Sequence, residues 1–133
     1  MGTRSLTRVF EDDQELVTIY RQFDGYPEGH GQDLADFLKD RSIVNGIPVS
    51  YKGKISNGGR DLAAQLVSFL KKDHEVGGIY IEAMGASDLG EEYEYSIYIE
   101  AGKEPIVELG GDTSIFRGTA KEFINWIKEH NNE

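Results

Sequence analysis

From Tyr93 to Glu100 the chain alternates Tyr93, Tyr95, Ile97 and Ile99 with Glu94, Ser96, Tyr98 and Glu100. Successive side chains of a strand point to opposite faces, so this stretch buries one face in a core and turns a more polar face outward. A chain built round such a strand needs partners for both of its edges. Leu6–Phe10 and Leu16–Phe23 are β-rich and flank the acidic run Glu11-Asp12-Asp13-Gln14, which reads as the turn of an opening hairpin. Ile79–Ala83 and Ile106–Leu109 read as further strands, with Ala101-Gly102-Lys103 as a hairpin turn. Helical spacing appears three times: at Leu34, Phe37 and Leu38, at Leu62, Leu66, Phe69 and Leu70, and at Phe123, Ile124 and Ile127. The last of these follows Thr119 and Glu122, spaced as a capping box. Residues 40–56, interrupted by Asn45-Gly46 and Pro48, read as a connection or a short edge strand.

The element order is ββααβββα. Strands and helices that come in groups favour an α+β fold, a mainly antiparallel sheet of about five strands covered on one face by three helices. At 133 residues the expectation is one domain, residues 1–133, long enough to bury a core.

Charge narrows the choice of partners. Asp and Glu number 24 against 14 Lys and Arg, a net −10, which opposes attraction to nucleic acid or an anionic membrane. The excess is uneven: residues 1–60 carry 8 cations and 9 anions, residues 61–133 carry 6 and 15. The first half can therefore host a local cationic pocket while the second presents an acidic face. Without cysteine there is no disulfide framework, thiolate metal site or cysteine nucleophile, which suits a cytoplasmic setting, and no cofactor or metal is called for. No apolar run has the length of a membrane span, and Met1–Phe10 lacks a signal-peptide layout. A homo-oligomer is compatible with all of this.

Chemistry concentrates in Tyr20-Arg21-Gln22-Phe23-Asp24-Gly25-Tyr26-Pro27-Glu28-Gly29-His30-Gly31, a strand-to-helix turn. Free N–H groups at a helix start and glycines that permit close approach suit an anion. In that reading Arg21 grips phosphate or carboxylate, Tyr26 stacks a base, Gly29 and Gly31 donate backbone N–H groups, His30 tunes binding with pH, and Gln22 and Asp24 belong to the same site; the plainer reading has Asp24 cap the loop, Arg21 pair with a neighbouring carboxylate and Tyr26-Pro27 pack. Arg4, just before the first strand, borders the same loop. Asn57-Gly58-Gly59-Arg60 opens a second helix and offers another such end. Neither segment matches a phosphate-loop or dinucleotide fingerprint, and the plainer reading has Asn57 as a cap and the glycines as hinges. Catalytic signals are thin: His30, His74 and His130 stand at no metal-ligand spacing, and only His30 with Asp24 or Glu28 offers a general base for a small hydrolase.

At Gly2-Thr3-Arg4-Ser5-Leu6-Thr7, at Tyr20 to Gly31, at Leu62-Ala63-Ala64-Gln65-Leu66 and at Tyr93-Glu94-Tyr95 the chain resembles a family of small uncharacterised proteins encoded in bacterial and phage genomes. The resemblance implies a setting for host interaction, such as sequestering a defence signal, and no activity. The leading expectation is thus a non-enzymatic binder of a small anionic, nucleotide-like ligand. Its rival is an acidic inhibitor that imitates DNA and meets a basic host protein through Glu82, Asp88, Glu91, Glu92, Glu94, Glu100, Glu104 and Glu108.

Overall fold

The computed structural model describes residues 2–47 and 52–131; Pro48, expected to break periodicity, lies outside them. Six strands form one sheet in the order β5-β2-β1-β6-β7-β8: β1 (Ser5–Glu11), β2 (Gln14–Arg21), β5 (Ile79–Glu82), β6 (Tyr93–Ile99), β7 (Ile106–Leu109) and β8 (Phe116–Thr119). A small parallel pair, β3 (Ser42–Val44) with β4 (Ile55–Asn57), stands apart. The helices are α1 (Gln32–Leu38), α2 (Gly58–Lys71) and α3 (Ala120–Asn131), and a π-helical turn, Pro27–Gly31, leads into α1.

The α+β architecture and its helix count are as expected, and the sheet is mixed rather than wholly antiparallel. Strand β1 pairs antiparallel with β2 and parallel with β6, whereas every other pairing in the main sheet is antiparallel. Two features departed from the reading of the sequence. Strand β8 carries Arg117 and Gly118 and shows no alternation, so it went unread; pairing with β7 holds it in place. The region of residues 40–56 supplies two short strands where one at most was expected, and β3 is further tied by the Gly102 N–H to the Ile43 carbonyl.

Parity along β6 does what the alternation required: Tyr95, Ile97 and Ile99 are buried and the residues between them are partly exposed. With Thr7, Val9, Ile19, Val107 and Leu109 they face Leu34, Leu38, Leu62, Leu66 and Phe123 of the helices, and together these make the core. The opposite face is crossed by residues 83–92. Arg8 donates to the Ala86 carbonyl at 2.6 Å, and Glu15 accepts the Gly85 N–H at 2.6 Å. Leu6 and Thr18, which point to that face, are fully buried.

The local devices are specific. Asp12 and Asp13 both adopt positive φ, the two-residue turn whose twist matches a β-hairpin. The capping box is reciprocal: the Thr119 N–H donates to Glu122 at 2.8 Å, and the Glu122 N–H to the Thr119 hydroxyl at 3.3 Å. Thr119→Ala is expected to destabilise the fold by about 1 kcal/mol, read as a lower midpoint in urea; an unchanged midpoint would show that the box contributes nothing to stability.

Candidate functional site

The polar loop folds inward. Register puts Arg21, the last residue of β2, between Ser5 and Ile79 on the helix-covered face, where it is 6% exposed. A guanidinium there needs partners for its charge and its donors. Its Nε donates to the Phe23 carbonyl at 2.6 Å, and one terminal nitrogen reaches Asp33 Oδ2 at 2.8 Å and His30 Nδ1 at 3.1 Å. Arginine has no lone pair to offer, so His30 Nδ1 accepts, and the ring proton must sit on Nε2. From Nε2 His30 donates to the Thr7 hydroxyl at 2.6 Å. Burial, aided by the Arg21 charge, pushes His30 down to about 3, so the ring is neutral. Tyr95 meets the His30 ring edge to face and donates its hydroxyl to the Gly25 carbonyl at 2.7 Å; burial raises its pKa.

The glycines serve this packing. A Cβ on Gly29 would lie 2.5 Å from the Asp24 carbonyl oxygen, which accepts the His30 N–H at 2.8 Å. One on Gly31 would lie 3.1 Å from the Phe123 ring. The N–H groups of Gly29 and Gly31 turn to the Tyr26 carbonyl, at 3.0 and 3.5 Å. Donors that the sequence suggested for a ligand are thus engaged within the loop.

The second glycine turn is likewise filled from within. The Gly59 N–H, in the first turn of α2, donates to Glu11 Oε2 at 2.7 Å, so a carboxylate from β1 occupies the position an anion would take. Asn57 is no side-chain cap; its side chain accepts the Gly46 N–H at 2.7 Å, and its own N–H goes to Asp61. Gly58 supplies a positive φ, and Arg60 is exposed. Ser5 and Glu11, beside which the two turns sit, are the opposite ends of β1. The strand's rise of about 3.3 Å per residue keeps the turns some 20 Å apart.

The remaining expected residues scatter. Gln22 donates its N–H to the Gly78 carbonyl, and Tyr26, 37% exposed, donates its hydroxyl to Asp24 at 3.2 Å. Arg4 borders the loop through its main chain, next to Gly25, while its guanidinium extends to Gly90. The structure therefore joins Arg21 and His30, and adds Thr7, Asp33 and Tyr95, which sequence reasoning missed. Asp33 was legible in part, as an acid in the first turn of α1 twelve residues after the arginine; Thr7 was not, since nothing local marks a hydroxyl opposite His30.

The two most voluminous clefts among the described residues lie elsewhere. One of about 510 Å³ is lined by residues 87–94 and 109–115, and one of about 420 Å³ by residues near the β1–β2 and β6–β7 turns. Neither is lined by any residue from 21 to 31. Set against protein-family models, curated proteins and solved structures, the chain gives no match.

Arg21→Lys keeps the charge and loses the fork, so it is expected to destabilise by about 2 kcal/mol, and Arg21→Ala by about 3 kcal/mol, in urea melts. Equal stability of all three proteins would contradict the network. His30 adds a pH dependence. Its folded pKa lies below the unfolded value of 6.5, so between about 3 and 6.5 the unfolded chain binds the extra proton. The His30 contribution is complete above pH 6.5 and is lost as pH falls, by up to about 1.4 kcal/mol per pH unit. Ser5 offers a converse check, because its buried hydroxyl lacks a hydrogen-bond partner among the described residues. Ser5→Ala is expected to leave stability unchanged or raise it, and a loss above about 1 kcal/mol would show that the hydroxyl is satisfied.

Proposed function

We propose that this chain is a non-enzymatic binding protein whose acidic second half meets a strongly cationic partner protein. The 510 Å³ cleft carries the reading: Asp88, Glu91, Glu92, Glu94 and Asp112 line it, with no Lys, Arg or His among the lining residues. Its walls come from the segment before β6 and the segment after β7, both in the half of the chain that holds the excess of acid. Glu94 also touches Arg8 at 3.6 Å, and Glu91 accepts the Leu89 N–H at 2.7 Å. Carboxylates gathered on two low-dielectric walls add their fields and steer a cationic surface toward the cleft. The resemblance to phage-encoded proteins favours a host nucleic-acid enzyme, whose basic cleft suits a DNA-like row of carboxylates, as the partner class.

The two other readings find less support in the geometry. For a small anion, Arg21 already holds Asp33 and the start of α2 already holds Glu11. For a hydrolase, the lone pair of His30 already accepts from Arg21, and the ring is fully buried.

The test is binding of a labelled arginine-rich peptide, followed by anisotropy across a salt series. Exposed pairs contribute about 0.2–1 kcal/mol each, so D88N/E91Q/E92Q/D112N is expected to weaken binding on the order of tenfold, with the affinity of the native chain falling steeply as salt rises. E28Q/D73N/E75Q/E129Q removes the same charge from elsewhere and is expected to change little. Equal losses in the two variants would mean that net charge alone attracts the peptide, and would overturn the assignment to the cleft.

A further inference from the structure

The two edges of the main sheet are protected unequally. Strand β8 carries Arg117 and Gly118 and runs straight into α3, the sort of charged, short edge that resists pairing. Among the described residues strand β5 pairs only with β2, and it carries Tyr80 and Ile81, 43% and 56% exposed, flanked by exposed Val76 and Met84.

Its main chain shows what would cover it. The Gln22 N–H donates to the Gly78 carbonyl, and Tyr20 lies opposite Tyr80. Hydrogen-bonded and non-bonded pairs alternate in an antiparallel ladder, so Gly78, Tyr80 and Glu82 turn their N–H and C=O groups to β2, while Ile79 and Ile81 turn theirs away. Those outward groups match another extended strand. Lys71 touches them lightly, its ammonium reaching the Gly77 and Ile79 carbonyls at 3.2 and 3.4 Å.

We infer that β5 pairs antiparallel with β5 of a second copy, about a two-fold axis through Tyr80. In this register Ile79 and Ile81 of one copy face Ile81 and Ile79 of the other, and each such pairing exchanges its main-chain hydrogen bonds. Tyr80 meets Tyr80, beside the existing Tyr20–Tyr80 ring contact. Charge is matched as well. Glu82 of the second copy falls opposite Gly78, whose two neighbouring carbonyls already hold the Lys71 ammonium, so an anion comes near a cation and the two Glu82 carboxylates stay apart. The surface joins like to like and closes as a dimer, leaving no β5 edge free for further growth. The acidic cleft is lined by residues 87–94 and 109–115, none of them in β5, so the pairing does not depend on the proposed partner. The two also respond to salt in opposite ways: copies that each carry −10 repel, so added salt strengthens the dimer.

Sedimentation velocity on the full chain tests this. The expected result is a monomer–dimer equilibrium that shifts toward dimer as salt rises. Ile81→Pro removes only an outward N–H, a change that an edge strand tolerates, and is expected to weaken dimerisation at least tenfold with an unchanged circular dichroism spectrum. As the chain lacks cysteine, Tyr80→Cys adds a single thiol. At a non-hydrogen-bonded position, with Cα atoms about 4.5 Å apart, it is expected to oxidise to a covalent dimer. Ile115→Cys, also exposed, serves as control. A monomer at about 1 mM, or Tyr80→Cys linking no faster than Ile115→Cys, would overturn the pairing, as would a dimer that Ile81→Pro leaves intact.

Discussion

A buried guanidinium organises one end of this molecule. Arg21 lies on the helix-covered face of the sheet, and hydrocarbon alone cannot hold a charge there. Its demands explain the surrounding chain. The Phe23 carbonyl, His30 Nδ1 and the Asp33 carboxylate converge on it, and the π-helical turn brings the last two within reach. Gly29 and Gly31 let that turn press against the Asp24 carbonyl and the Phe123 ring. The neutral His30 then passes a hydrogen bond to Thr7 of the central strand, so β2, the loop and β1 are joined through one side chain, while Arg21 itself reaches α1 at Asp33.

The other end of β1 repeats the principle with the charges exchanged. There the partial positive charge of the α2 N-terminus is met by Glu11. An arginine fork and a glycine-led helix start are common features of anion sites, and in this chain each is matched by a carboxylate of its own. Elsewhere acid predominates: Asp88, Glu91, Glu92, Glu94 and Asp112 line one cleft with no Lys, Arg or His among its lining residues, and the proposed cationic partner rests on that imbalance.

The fold was largely legible in the sequence because its strongest signals are periodic. The alternation in β6, the apolar stripes of α2 and α3 and the Thr119–Glu122 box all have structural counterparts. Strand β8 was illegible because pairing, not pattern, makes it a strand, and the parallel union of β1 with β6 joins segments about ninety residues apart that no local signal relates. The site was legible only as a concentration of residue types. Composition placed Arg21 and His30 in one turn, yet whether they faced solvent or core depended on the parity of β2, and strand ends are where parity is hardest to read. Asp33 could be suspected from its place in α1, and Thr7 only from the finished sheet.

The account stands on Arg21 being satisfied from within, and the His30 ring reports this directly. Long-range proton–nitrogen NMR of the imidazole should show Nε2 protonated and Nδ1 bare, unchanged from neutral pH down to about pH 5. A ring that instead gains a proton with a midpoint near the ordinary histidine value of about 6.5, or that carries its proton on Nδ1, would contradict it.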